Sequence, residues 1–146
     1  KYGVGYDADT FQPGKALTQW DLVCLLASLQ GLRLDPAAAD EQSRNNAYAA
    51  AYEMGALSRA QRDDSALLTR GDVVKYLLNG AGYGSVARLQ GIFTCSYADR
   101  ASIPKADLGY AALAQGLGLV QGNYAGSRIA SRGEATVMLY RLLGRN

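Results

Sequence analysis

The sequence has no histidine and only two cysteines among its 146 residues. Without histidine there is no Ser-His-Asp triad, no His-containing zinc site and no usual general base for neutral pH. Cys24 and Cys95 are too few for a metal cluster or a disulfide scaffold, although a single bridge between them stays open. We therefore expect a protein that is not an enzyme and that needs neither a metal nor another cofactor.

Strong charge and long apolar runs are also missing. The net charge is +2 and the isoelectric point is about 8.6, with no block of Lys or Arg, so we expect no nucleic-acid partner. No apolar run reaches the 18 or more residues that span a bilayer, so we expect no membrane insertion. Because the chain begins at Lys1 rather than Met, we expect that an upstream part has been removed, and the missing signal peptide says nothing about compartment.

The residues that are abundant favour helices. The chain holds 24 Ala and 20 Leu against only 7 Val and 3 Ile. Ala and Leu are strong helix formers, whereas β-branched residues favour strands. The 17 Gly are expected in caps and loops, because glycine destabilises a helix interior. This balance predicts an all-α fold.

Three segments, 17–23, 68–74 and 130–136, align with one another without gaps. Each places Ser or Thr three residues before Asp or Glu and leads into an apolar stretch. That spacing is typical of a capping box, in which hydroxyl and carboxylate each bind a free backbone amide at the helix start. The predicted pairs are Thr18 with Asp21, Thr69 with Asp72, and Ser131 with Glu134.

A second element is repeated as well. The Ala-rich stretches 48–57 and 110–120 are both predicted to be helices that end at glycine. We expect the first of these helices to begin near Pro36 with Asp35 as its N-cap, and the second to begin at Pro104. A polar loop and then a capping motif follow each stretch.

One unit is thus helix, loop and capped helix. Residues 1–146 are predicted to form one domain of a partial first unit (1–34, loop plus capped helix), a second unit (35–84) and a third unit (85–146). The second and third capped helices are expected to end at Gly80 and Gly144, which suit C-terminal caps.

Arg70 and Arg132 occupy the first helical position of two units. A cation there opposes the helix dipole, but a guanidinium beside free amides makes a good site for a carboxylate or phosphate. The alternative is a surface ion pair, for instance with Asp63 or Asp64. In the first unit Gln19 replaces the arginine, so an anion site there is expected to be weak or altered.

The arrangement resembles the S-layer homology family, whose repeats of bacterial surface proteins usually occur in threes. Residues 97–99 (Tyr-Ala-Asp) are similar to the family's Phe-x-Asp start, and 118–122 (Gly-Leu-Val-Gln-Gly) to its glycine-bounded turn. Residues 69–72 and 131–134 are similar to its Thr-Arg-Ala-Glu helix start, and 5–13 to its Gly-Tyr-x-Asp-Gly-x-Phe-x-Pro loop. The family's opening-helix Trp is missing from the second and third units.

The resemblance implies a pseudo-threefold arrangement of helical units with a shared helical core. It also implies non-covalent anchoring to the cell wall through an anionic secondary cell-wall polysaccharide, often carrying an acidic pyruvate ketal that the motif arginine would meet. The implied location is extracellular, at the cell surface or cell wall of an S-layer. Other surface-layer proteins are further candidate partners.

The side chains near the motifs fit a sugar ligand. A carboxylate suits a bidentate arginine, and sugar rings suit an aromatic platform, for which Tyr6, Trp20 and Tyr124 are candidates; ordinary packing is the alternative for Trp20 and Tyr124. Short polar groups for sugar hydroxyls come from Gln121, Asn123 and Ser127. The predicted ligand-binding residues are Arg132, Arg70, Glu134, Asp72, Ser131, Thr69, Asn123, Tyr124, Gln19 and Trp20.

The sequence therefore predicts a wall-anchoring module that binds a cell-wall polysaccharide. The alternative is a helical module for protein–protein interaction or surface assembly that keeps the scaffold without binding glycan. Open guanidinium groups at Arg70 and Arg132, in grooves between units, are the expectation that favours the first.

Overall fold

The computed structural model describes residues 12–32, 34–37 and 39–144. This part of the chain is mostly helical and has no named strand, which confirms the all-α class. None of its helices is long and apolar enough to cross a membrane. The six α-helices are α1 (Gln19–Ser28), α2 (Glu41–Glu53), α3 (Arg70–Gly80), α4 (Gly84–Ala87), α5 (Leu108–Gly116) and α6 (Arg132–Leu143). Three 3₁₀ turns lie at Arg59–Gln61, Arg100–Ser102 and Lys105–Asp107.

All three predicted capping boxes are formed, at the starts of α1, α3 and α6. In the first, the Asp21 amide donates to Thr18 Oγ1 at 3.1 Å and the Thr18 amide donates to the Asp21 carboxylate at 3.0 Å. The other two repeat this geometry within 0.1 Å. A side-chain oxygen at these positions stabilises a helix because it satisfies amides that have no partner in the first turn.

The predicted start of α2 is wrong. The helix begins at Glu41, and its N-cap is Asp40, whose carboxylate accepts the amide three residues later at 2.8 Å. Asp35 instead caps a turn, since it accepts the amide two residues on at 3.0 Å. Either aspartate is chemically able to cap a helix, so residue type near Pro36 could not distinguish the two. The start predicted at Pro104 is closer, because a 3₁₀ turn follows that residue and runs into α5.

Helix α3 ends at Gly80, as predicted, although this glycine is not the C-cap. Gly80 is still helical, Ala81 is the C-cap, and the left-handed turn comes at Gly82, with φ +94°. Glycine suits that conformation because it has no Cβ to clash. Gly144 is the C-cap of α6 as predicted, in a right-handed conformation with φ −67°.

Helix α1 lies at the centre of the core. Nine of its ten residues are buried, and it packs against both α2 and α6. A helix that is buried on every side has no solvent face, which explains why its sequence is apolar almost throughout. Both cysteines are free: Cys24 is buried in α1, where burial raises the pKa of its thiol to about 12, and Cys95 is partly exposed.

The segments before the three capped helices bind one another in a closed hydrogen-bond ring. The Leu17 amide donates to the Ala130 carbonyl at 2.9 Å, that of Ala130 to Leu68 at 2.9 Å, and that of Leu68 to Leu17 at 3.0 Å. The first amide of each helix also donates to a neighbouring segment, in the pairs Gln19 to Ala66, Arg70 to Arg128 and Arg132 to Lys15. The three capped helices therefore begin close together.

Candidate functional site

Both motif arginines form ion pairs near the hydrogen-bond ring that joins the starts of the capped helices. Arg70 donates from Nη1 to the Glu134 carboxylate at 2.6 Å and from Nε to the Tyr124 carbonyl at 3.0 Å. Arg132 pairs with Asp21 at 3.3 Å. Each arginine side chain is only 12% exposed. The expectation of open guanidinium groups is therefore wrong, because each reaches the capping carboxylate of another unit.

The surface partners considered for these arginines do not bind them. Asp64 is paired instead with Arg44 and Arg62, each at 2.9 Å. Glu134 receives a second guanidinium from Arg128. Burial alone would raise the pKa of Glu134, but the bonds from Arg128 and the Ser131 amide, with the charge of Arg70, hold it below the ordinary value. Two of the three capping carboxylates, Asp21 and Glu134, thus join units as well as cap helices.

Gln19 takes the place of the arginine in the first unit and is also internal. Its side chain is 2% exposed. The amide nitrogen donates to the Gln61 carbonyl at 2.9 Å, and the oxygen accepts from the Tyr48 hydroxyl at 2.9 Å and the Asp63 amide at 2.7 Å. Both polar atoms of this amide are bonded to residues of the second unit, so Gln19 connects units rather than facing a ligand.

Trp20 is part of the core rather than a sugar platform. It is 5% exposed, and its indole nitrogen donates to the Pro36 carbonyl at 2.9 Å. One face stacks on Tyr48 with ring centroids 6.0 Å apart, and the Arg44 guanidinium lies 4.6 Å from its centroid. The other predicted platform residue, Tyr6, lies outside the described residues.

A groove does exist between the second and third units, which we call the polar groove. Its volume is about 290 Å³, and it lies between the start of α3 and the segments 99–107 and 124–127. Of the predicted ligand-binding residues it brings together Thr69, Asp72 and Tyr124. Ser127 lines it as well, whereas Asn123 is exposed beside it and is not part of the lining.

The polar groove is acidic. Asp72, Asp99 and Asp107 line it with a single cation, Lys75, which gives the lining a net charge of −2. Lys75 is bound to Asp107 at 2.7 Å. The Asp99 carboxylate accepts the amides of residues 124 and 125, each at 2.8 Å, and these bonds lower its pKa. Such a lining is rich in acceptors, so it suits hydroxyl groups and disfavours a carboxylate.

One residue of the groove lining, Tyr124, has an unsatisfied hydroxyl. Tyr124 is 1% exposed, and its hydroxyl has no hydrogen-bond partner within the described residues. Burial raises the pKa of this phenol, and the nearby Asp107 carboxylate raises it further. A buried hydroxyl without a partner costs free energy. The Tyr124 hydroxyl is itself buried, so in this fold it is a local cost in stability and not an open contact for a ligand in the groove.

A second depression, which the sequence did not predict, lies on the other side of α3. We call it the aromatic cleft; its volume is about 620 Å³ and its lining includes Tyr52, Tyr76, Tyr110 and Arg88. Asp72 and Lys75 line both depressions, so they form a shared rim. The tyrosines fall in stretches of sequence that resemble apolar helix faces; Tyr52 and Tyr76 are partly exposed in the fold, whereas Tyr110 is buried.

Comparison with known proteins identifies no family. No family model matches the chain, and no curated protein sequence matches it. Within the described ranges, no group of three or more His, Cys, Asp or Glu is placed to hold a metal ion. The features of this fold that bear on function are the hydrogen-bond ring, the polar groove and the aromatic cleft.

Proposed function

We propose that the chain is a carbohydrate-binding module that anchors a surface protein to the bacterial cell wall by binding an anionic secondary cell-wall polysaccharide. In this proposal the three units follow a pseudo-threefold arrangement like that of S-layer homology repeats, and the module works outside the cell. The closed hydrogen-bond ring and the three aligned capping boxes support that arrangement, because each unit makes the same kind of bond to a neighbour.

The polar groove is the observation that carries this proposal. It lies between two units, and it is lined by the carboxylates of Asp72, Asp99 and Asp107 and by hydroxyl residues such as Thr69 and Ser127. A sugar offers several hydroxyl groups, each able to donate to a carboxylate and to accept from a Ser or Thr hydroxyl. A concave site with a few convergent polar groups is the usual form of a small-ligand site.

The structure changes how an anionic polymer would be held. Arg70 and Arg132 form ion pairs with Glu134 and Asp21, so these two arginines do not provide the contact to an anionic ligand that the sequence predicted. In the polar groove the ligand contacts are proposed to be sugar hydroxyls. The acidic group of the polymer must then lie elsewhere, where positive charge is still available.

Assembly without glycan is the second candidate, and the same ion pairs favour it. Arg70 and Arg132 join units in the described fold without any ligand, so the scaffold by itself explains why two units keep an arginine there. A module of this kind could present its outer surface to another surface protein. The two candidates differ in whether the polar groove is used.

Co-sedimentation with purified cell-wall sacculi tests the proposal. We expect the chain to sediment with intact sacculi and to stay in solution when acid has removed the secondary polymer. Ser127→Tyr, which places a bulky ring at the groove wall, should reduce the bound fraction at least tenfold. The matched control is Ser65→Tyr, an equally exposed loop position outside the groove. Equal binding by both variants, or sedimentation that survives acid extraction, would favour the assembly module.

A further inference from the structure

The aromatic cleft presents rings to a ligand. Tyr52 and Tyr76 are partly exposed, and Tyr110, which is 5% exposed, forms the inner wall. The carbon face of a sugar ring packs well on a tyrosine ring, because the ring offers a large, rigid apolar area with a polar end. The cleft, at about 620 Å³, has room for at least one sugar residue.

Arg88 lies at the edge of this cleft in a defined position. Its Nη1 donates to the Tyr110 hydroxyl at 3.3 Å, and that hydroxyl donates to the Asn79 side-chain oxygen at 2.7 Å. Gly84 leaves the space for this chain of bonds, since a Cβ there would come within 3.0 Å of Arg88 Nη1 and 2.5 Å of the Asn79 oxygen. The network fixes one edge of the guanidinium and leaves its other donors toward solvent.

Arg88 forms no ion pair with a carboxylate within the described part of the chain. Arg70 and Arg132 have carboxylate partners at 2.6 and 3.3 Å, whereas Arg88 has none within 4.0 Å and its side chain is exposed. An exposed guanidinium held beside aromatic rings matches a carboxylate, because its planar fork binds both oxygens of that group.

The electrostatics of the two depressions are opposite. Among the described residues that line the aromatic cleft, the cations Lys75 and Arg88 and the carboxylate of Asp72 give a net charge of +1, against −2 in the polar groove. Lys75 lies in both linings and is paired with Asp107, so Arg88 is the cation that the cleft offers to a ligand. The Arg59 guanidinium lies over the Tyr52 ring, 4.9 Å from its centroid, where it covers that ring and adds positive charge at the rim. An acidic sugar is therefore attracted to the cleft and repelled by the groove.

We propose that the aromatic cleft binds a carboxylate-bearing sugar residue, whose ring packs on Tyr76 and whose carboxylate binds Arg88. This inference rests on the proposed function, because a polymer held in the polar groove reaches the cleft across the shared rim of Asp72 and Lys75. The two depressions then form one extended site, in which the groove takes hydroxyl groups and the cleft takes the acid.

A matched pair of sugars tests the proposal by calorimetric titration. The probes are an α-1,4-linked galacturonate hexamer and the same hexamer with its carboxyl groups reduced to hydroxymethyl groups. We expect the wild-type chain to bind the acidic hexamer at least tenfold more tightly. Arg88→Gln should bring the two affinities within twofold of each other, and Arg88→Lys should leave an intermediate preference, because the charge remains but the fork is lost.

Arg141→Gln is the control, because Arg141 is also exposed, also donates one 3.3 Å hydrogen bond, and lies on α6 away from the cleft. It removes the same charge and should keep the preference for the acid. An equal preference in Arg88→Gln and wild type would overturn the proposal, as would failure of the acidic hexamer to bind at millimolar concentration. If the chain still sediments with sacculi after either result, the proposed function is kept and only the binding of an acidic sugar in the aromatic cleft is rejected.

Discussion

The ring of helix starts and the two depressions beside α3 use the same residue types for different purposes. At the ring, Arg70 and Arg132 are 12% exposed and paired with carboxylates of other units. At the aromatic cleft, Arg88 is exposed and pairs with no carboxylate of the described chain. A charged residue in a repeated motif is thus not a ligand residue merely because it is repeated: here the repeated charges hold units together.

Removing a ring charge should have the largest effect on stability. Arg132→Ala leaves Asp21 with 5% of its side chain exposed and without this guanidinium. Loss of one partner of a buried pair is costly because the remaining charge stays desolvated, so we expect a loss of about 2–3 kcal/mol in the free energy of unfolding. Urea unfolding at pH 7 measures it. Arg141→Ala, at an exposed position, should change stability by less than about 0.5 kcal/mol.

That outcome also separates the ring from the binding surfaces. The folded fraction of Arg132→Ala should bind sacculi as well as wild type does, because its guanidinium lies away from both depressions. A variant with unchanged stability and lost binding would reverse the assignment and return Arg132 to the ligand site predicted from the sequence.

The caps should come next in effect. Thr69→Ala and Ser131→Ala each remove a hydroxyl that accepts a first-turn amide, at 3.1 Å in both cases. We expect each to lower the free energy of unfolding by about 0.5–2 kcal/mol. Thermal unfolding followed by circular dichroism measures the change, with Thr94→Ala at an exposed loop position as the control. A shift near zero in both variants would mean that the observed capping boxes contribute nothing.

Tyr124→Phe distinguishes a structural hydroxyl from a ligand-binding one. The hydroxyl has no partner in the described chain, so its removal should leave the free energy of unfolding unchanged or raise it by about 1 kcal/mol. Affinity for the wall polymer should stay within about twofold of wild type, because the buried hydroxyl offers no open contact to a sugar. Tyr97→Phe is the opposite case: that hydroxyl donates to the Ala111 carbonyl at 3.0 Å, so stability should fall and polymer affinity should not.

The smallest effect concerns pH. The pKa of Glu134 lies below its ordinary value of 4.5 in the folded chain, so its contribution is present above that pH and is lost as acid protonates it. Glu134→Gln should therefore be less stable than wild type at pH 7, by only about 1 kcal/mol or less, because glutamine keeps an acceptor for the Ser131 amide and for Arg70, and because this side chain is 25% exposed whereas that of Asp21 is 5% exposed. The two stability curves should converge as pH falls below about 4. Urea midpoints between pH 7 and 3 measure this, and curves that stay parallel would contradict it.

Sequence reasoning succeeded where the signal is local. The capping boxes depend on residues three positions apart, so Thr18 with Asp21 and its two counterparts could be predicted from spacing alone. The all-α class follows in the same way from many local preferences. The predicted N-cap of α2 was wrong because Asp35 and Asp40 are equally good N-caps by residue type. The local sequence does not show that the helix starts after Asp40.

The candidate site was predicted less well, because it depends on contacts between units. Nothing near Arg132 in the chain indicates that Asp21, 111 positions away, will occupy its guanidinium. Likewise, the aromatic cleft is formed by residues of α2, α3 and α5 together with Arg88, and no short motif joins them. The loop that lines the polar groove could be predicted from the sequence, because Tyr124 and Ser127 lie just before the third capping motif.

The division between a ring that holds the fold and depressions that we propose bind the polymer is tested most directly by measuring two variants in two assays. Arg132→Ala and Arg88→Gln each lose one guanidinium, and both the free energy of unfolding and the affinity for the galacturonate hexamer are measured for each. We expect Arg132→Ala to lose stability while its folded fraction keeps its affinity, and Arg88→Gln to keep stability while losing at least tenfold in affinity. The opposite pattern, or one in which both variants lose both properties together, would contradict the division.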